Sequence, residues 1–131
     1  MNKIYGPDQN LNLDLGKIER VSVPTGHKVR FSFKADAAWE QAICIYLQNA
    51  EVDYGQVIEK GTYAPLRDLD DWDTPVNHSE SDKVYIVSGW YKHHGWAQSR
   101  SNKSDNEIGF DDGGNDSDYN DIVATYVVEK E

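Results

Sequence analysis

The chain has one cysteine, Cys44, so no disulfide framework can form within it, and a disulfide-stapled scaffold is excluded. Cys44 sits in an apolar run and reads as a small buried hydrophobe. Positive charge is scarce. Thirteen Lys and Arg stand against 23 Asp and Glu, for a formal net charge of −10, which argues against nucleic acid and anionic membrane as partners. Nothing approaches the ~20 consecutive apolar residues of a membrane span, so membrane insertion is not expected. The start, Met1-Asn-Lys-Ile-Tyr-Gly-Pro7, has no apolar core for a signal peptide, and the expectation is cytoplasmic synthesis, with any release or cell-surface display by a non-classical route. Long helical periodicity is missing too. So are a nucleophile elbow, a phosphate loop and a zinc-protease helix. Acidic residues are so many that no pair stands out as the carboxylates of a glycosidase. No enzyme activity is expected.

What the chain does have is period-two alternation. Val21-Ser-Val-Pro24 and Lys28-Val-Arg-Phe-Ser-Phe33 alternate apolar and polar, as half-buried strands do, with a turn at Pro24-Thr-Gly26. Gln41-Ala-Ile-Cys-Ile-Tyr-Leu47 is apolar on both faces, which suits a strand covered on both sides. Further strands are expected at 51–58 and 83–88. Residues 61–81, with Pro65, Pro75 and the string Asp68, Asp70, Asp71 and Asp73, read as a long loop holding at most one short strand. Residues 98–107 are polar. The length fits one domain over residues 1–131, with 1–17 as a polar arm. The expected fold is all-β, an antiparallel β-sandwich of about nine short strands.

The chemistry concentrates in Ile108-Gly-Phe-Asp-Asp-Gly-Gly-Asn-Asp-Ser-Asp-Tyr-Asn-Asp121, which runs straight into the apolar strand Ile122–Val128. Five carboxylates, Asp111, Asp112, Asp116, Asp118 and Asp121, repel one another unless a cation lies among them. The stretch supplies oxygen donors and no sulfur or imidazole, the donor chemistry of calcium. It is not an EF-hand: counting from Asp116, that loop's sixth and twelfth positions hold Asp121 and Val127 instead of Gly and Glu. Nor is it a calcium-binding nonapeptide array, which needs tandem copies. A solvated acidic turn is the plain alternative.

Other candidates are weaker. His78, His93 and His94 lack the convergent spacing of a zinc site, since adjacent residues in a strand face opposite ways. Trp90, Tyr91 and Trp96 suit packing better than stacking on a sugar. Asp68 to Asp73 is framed by prolines as a solvated loop.

Asp112-Gly-Gly-Asn-Asp-Ser-Asp-Tyr-Asn-Asp121 resembles the calcium loop of the LecB-type calcium-mediated bacterial lectins, and Val21-Ser-Val-Pro24 resembles that family's first strand. The likeness is specific over roughly 21–47 and 108–131. It implies a calcium-dependent lectin in which two calcium ions per chain coordinate hydroxyls of mannose- or fucose-type glycans. Carried over position by position, it implies Asp36, Asp112, Asp116, Asp118, Asn120 and Asp121 as metal ligands. It also implies the Glu131 α-carboxylate as a ligand reaching the partner subunit of a homodimer or higher homo-oligomer. The implied sugar contacts are Asp36, Ala37, Ala38, Trp39, Asp111, Asp112, Gly113, Asp116, Asp118 and Asp121. Three positions depart from the family pattern. Asp36 stands for an asparagine, Gly113 for an aspartate that Asp111 would replace, and Trp39 for a small residue. Ala37 and Ala38 resemble the mannose-preferring members. A structural or adhesive β-domain with a calcium-stiffened loop and no sugar binding is the competing expectation.

Overall fold

Apolar patterning forms the central strands of the architecture. The structure, a computed structural model, describes residues 14–35, 40–47, 56–62, 67–92, 94–111 and 122–131. Ten strands lie among them: β1 (Glu19–Val23), β2 (His27–Ala35), β3 (Glu40–Leu47), β4 (Gln56–Thr62), β5 (Arg67–Asp73), β6 (Lys83–Lys92), β7 (Trp96–Gln98), β8 (Arg100–Ser104), β9 (Glu107–Asp111) and β10 (Ile122–Lys130). All ladders are antiparallel. One sheet runs β1-β6-β3-β4, with β7 on the β1 flank of β6, and the other runs β5-β2-β10-β9-β8. The expected all-β sandwich is the fold found, with ten strands in place of about nine.

Its main core lies between the sheets. Val29, Phe31 and Phe33 of β2 and Ile122, Ala124 and Tyr126 of β10 meet Ile43 and Ile45 of β3 and Tyr85 and Val87 of β6. Each fully buried side chain of this size contributes about 1.5–3 kcal/mol. Phe31 stacks on Trp72 with ring centroids 6.0 Å apart. Burial pushes the Tyr85 hydroxyl pKa up, with a hydrogen bond to Thr74 pulling the other way.

A second cluster, Ile18, Ala42, Cys44, Ile86 and Trp90, covers the outer face of the first sheet, with Trp96 packed against it. This is why β3 is apolar on both faces. The cover includes the segment ahead of β1. Asp14 caps a 3-10 turn over Leu15–Lys17 by accepting from the Gly16 N–H. The Gln98 amide clamps the turn, accepting from the Asp14 N–H at 2.7 Å and donating to the Lys17 carbonyl at 3.2 Å. The arm expected over 1–17 is therefore tied down from Asp14 onward; residues 1–13 lie outside the described residues.

The polar stretches depart most from expectation. The acidic string belongs to β5, which pairs with β2 across an irregularity between Phe31 and Phe33. Trp72 turns to the core, and Asp73 is held by Lys28 at 3.1 Å and Arg30 at 2.9 Å. The string is not a loop, and its last carboxylate already has cationic partners. The strand expected at 51–58 is β4, displaced to 56–62; residues 51–55 lie outside the described residues. β8 carries no apolar side chain, yet pairs along β9. Ser101 donates to Glu19 at 2.6 Å, and the Lys103 ammonium donates to the Arg20 carbonyl at 2.7 Å, closing that side of the sandwich.

Two outcomes follow. Gly89 lies where a Cβ would run into the Phe110 ring, so Gly89→Ala should lower unfolding free energy by about 1–3 kcal/mol in urea titrations. The Asp73 carboxyl is held down, to a pKa of about 2, by hydrogen bonds from Arg30 and Lys28. Its folded value lies below the ordinary 3.8, so its contribution is complete above about pH 4 and is lost as pH falls toward 2. Asp73→Asn should flatten the fall of stability between about pH 4 and 2 in denaturation curves taken at stepped pH.

Candidate functional site

The longest ladder decides which segments meet. β2 and β10 pair from His27 opposite Lys130 to Ala35 opposite Ile122. Nine residues at ~3.4 Å each make this ladder about 30 Å long, and its two ends are remote from each other. At the Ala35 end, residues 36–39 leave β2 and residues 112–121 enter β10. The paired residues that bound these segments, Ala35 and Ile122, lie about 5 Å apart across the rung. β9 also ends here, with Phe110 opposite Ile122, so both feet of the 112–121 segment stand on adjacent strands. The first residue of β5, Arg67, is opposite Ala35, and Glu40 of β3 is opposite Lys92 of β6. One end of the sandwich thus carries the segments that hold nearly every candidate residue.

Those residues themselves, Asp36, Ala37, Ala38, Trp39, Asp112, Gly113, Asp116, Asp118, Asn120 and Asp121, lie outside the described residues. Two candidates lie within. Asp111, the last residue of β9, is fully buried and ion-paired: Arg100 Nη2 donates to its Oδ2 at 2.5 Å. Its other oxygen, Oδ1, has no hydrogen-bond partner among the described residues. Glu131 lies at the opposite end, its N–H donating to the Gly26 carbonyl at 3.0 Å. The full length of β10 separates it from its own acidic segment. The turn it touches is well held. Buried Asn77 donates to the Val23 carbonyl at 2.9 Å and accepts from the Gly26 N–H through its own carbonyl at 2.8 Å.

The remaining candidates fall apart geometrically. His78 precedes β6 and His94 follows it, so the strand's ten residues, about 33 Å, lie between them; His93 is outside the described residues. Among the described residues no three His, Cys, Asp or Glu side chains converge as a metal site. Trp90 is a core residue, 2% exposed, its indole N–H donating to Ser88 Oγ at 2.8 Å. Trp96 packs on the same cluster with the Lys92 ammonium 5.7 Å from its ring centre. Neither offers a bare ring face. Arg100 was not visible as a functional candidate in sequence, because one basic residue in a polar stretch carries no signal until register sets it opposite Asp111.

No family model matches the chain, and no curated protein sequence does. Solved structures are similar in fold. A Chromobacterium violaceum lectin in complex with alpha-methyl-fucoside superposes with a TM-score of 0.61 at 16% identity, covering 86% of this chain and 96% of that one. The C-terminal domain of a Burkholderia cenocepacia lectin gives 0.60 at 21% identity, covering 86% and 95%. A Ralstonia solanacearum high-affinity mannose-binding lectin gives 0.57 at 17% identity, covering 91% and 99%. The chain has the fold of these bacterial lectins.

Proposed function

We propose that the end of the sandwich bearing residues 36–39 and 112–121 is a calcium-dependent binding site for mannose- or fucose-type sugars. The observation that carries this reading is the rung Ala35–Ile122, which sets the feet of the two segments one strand apart although they are far apart in sequence. The likeness to sugar-binding lectins supports it. The donor set fits calcium: Asp36, Asp112, Asp116, Asp118, Asn120 and Asp121 offer carboxylate and amide oxygens only. Asp111 Oδ1, a buried acceptor with no partner among the described residues, lies at the root of the segment and adds a further oxygen there.

These residues would hold two calcium ions, which when bound offer coordination positions to vicinal sugar hydroxyls. The carboxylates act twice: they hold the cations and accept charge-assisted hydrogen bonds from the same hydroxyls. Ala37 and Ala38 resemble the specificity loop of the mannose-preferring lectins, which favours mannose as the ligand. The function is recognition, with no bond made or broken.

Calorimetric titration with methyl mannoside and methyl fucoside, in calcium and in chelator, tests the reading. Binding in calcium that vanishes with chelator is the expected result, with mannoside the tighter ligand. At a hundredfold excess over Kd, calcium should stabilise the fold by about 2.7 kcal/mol, a rise in Tm on the order of 10 °C. Asp118→Ala should remove most of that rise. A calcium-dependent Tm without sugar binding would favour the structural β-domain; no response to calcium would sink both.

A further inference from the structure

Arg100 opens β8, Asp111 closes β9, and the two stand directly opposite in the ladder. The Asp111 side chain is 0% exposed and that of Arg100 46%. Arg100 reaches one carboxylate oxygen, at 2.5 Å, and the other has no partner among the described residues. Desolvating a carboxylate is expensive, and bonds to one oxygen use only half of its acceptor capacity. Among the described residues Asp111 is the one fully buried acidic side chain, and Asp112 follows it directly. The fold tolerates a buried, half-satisfied charge at the root of the acidic segment.

We propose that the Arg100–Asp111 pair is a positioning anchor that sets the calcium affinity of the 112–121 segment. The inference rests on the calcium reading above and adds to it a residue from a strand that supplies none of the ligands. The ion pair holds Asp111 at the end of β9, the residue from which the 112–121 segment continues. Residues that orient metal ligands from behind typically matter about ten- to a hundredfold in affinity.

Simple electrostatics gives the opposite sign. The Arg100 charge repels an approaching cation, so a purely Coulombic role predicts tighter calcium binding when it is removed. Anchoring predicts weaker binding.

The test is calcium titration calorimetry on the full chain, paired with melting curves in calcium and in chelator, for wild type, Arg100→Gln, Arg100→Lys and the double variant Arg100→Leu with Asp111→Leu. Arg100→Gln should weaken calcium about ten- to a hundredfold and shrink the calcium-dependent rise in Tm, and Arg100→Lys should restore part of both. Replacing both partners with apolar residues is often neutral for stability, so the double variant should melt near wild type in chelator yet bind calcium as weakly as Arg100→Gln. It keeps the test open if the single variant fails to fold. Unchanged or tighter calcium binding in Arg100→Gln and the double variant would overturn the anchor, as would a Tm lowered equally in calcium and chelator with affinity intact. A wild-type chain that binds no calcium would overturn the calcium reading and the anchor with it.

Discussion

The nine-rung ladder between β2 and β10 is the constraint on which the rest depends. Because side chains alternate, a slip of one residue would turn Phe31, Phe33, Ala124 and Tyr126 out of the core and the Lys and Arg of β2 into it. Burial of those residues therefore locks the register, and the register sets what meets at each end. Lys28, Arg30 and Lys34 lie on the outer face of β2, where Lys28 and Arg30 find Asp73 of β5. The packing choice that forms the core thus also puts Ala35 and Ile122, which bound residues 36–39 and 112–121, on one rung. The meeting of Ala35 and Ile122 at one end is a by-product of burying three side chains per strand in the middle.

The second sheet solves a different problem. Its strands β3 and β6 are apolar on both faces, so a two-layer sandwich alone would leave Ala42, Cys44, Ile86 and Trp90 open to water. Residues from Asp14 to Ile18 help to close that face, and the Gln98 clamp holds them there through hydrogen bonds to backbone atoms at both ends of the 3-10 turn. At Ser99 the chain leaves the first sheet, the Ser99 N–H donating to the Gly89 carbonyl at 2.8 Å, and enters the second as β8. That crossing delivers Arg100 to the end of β9.

Legibility followed the source of each element's stability. β2 and β10 owe their existence to their own alternating apolar residues, and β3 and β6 to runs that are apolar on both faces, so local pattern reveals all four. β5 and β8 do not. β5 carries a run of aspartates and is a strand because Trp72 finds Phe31 and Asp73 finds two cations on β2. β8 is polar throughout and is a strand because β9 offers an open edge and Lys103 reaches across to Arg20. Tertiary partners override local preference in both, and no window of sequence contains those partners. The same distinction holds at the site. The acidic run was legible as oxygen chemistry from composition alone, whereas Arg100 meets Asp111 only through its register with that residue eleven positions away.

The closure of the acidic segment has an energetic consequence. Its feet stand on neighbouring strands, and ten residues that must leave and return cannot reach farther than about 17 Å from the sheet end. Four aspartates fall within that span of chain, with a fifth, Asp111, buried at its root. Two carboxylates about 5 Å apart at an effective dielectric near 20 repel by about 3 kcal/mol, so the chain gains by spreading its charges or by gathering them around a cation. At the one described carboxylate the fold has recruited a cation of its own, the Arg100 guanidinium, which reaches a single oxygen. The ion pair on β5 shows the alternative, with Asp73 half-exposed and taking Lys28 and Arg30 on both oxygens. Among the described residues, the acidic stretches thus meet positive charge in two ways: Asp73 takes two cations across the β2–β5 ladder, and Asp111 takes one on a single oxygen.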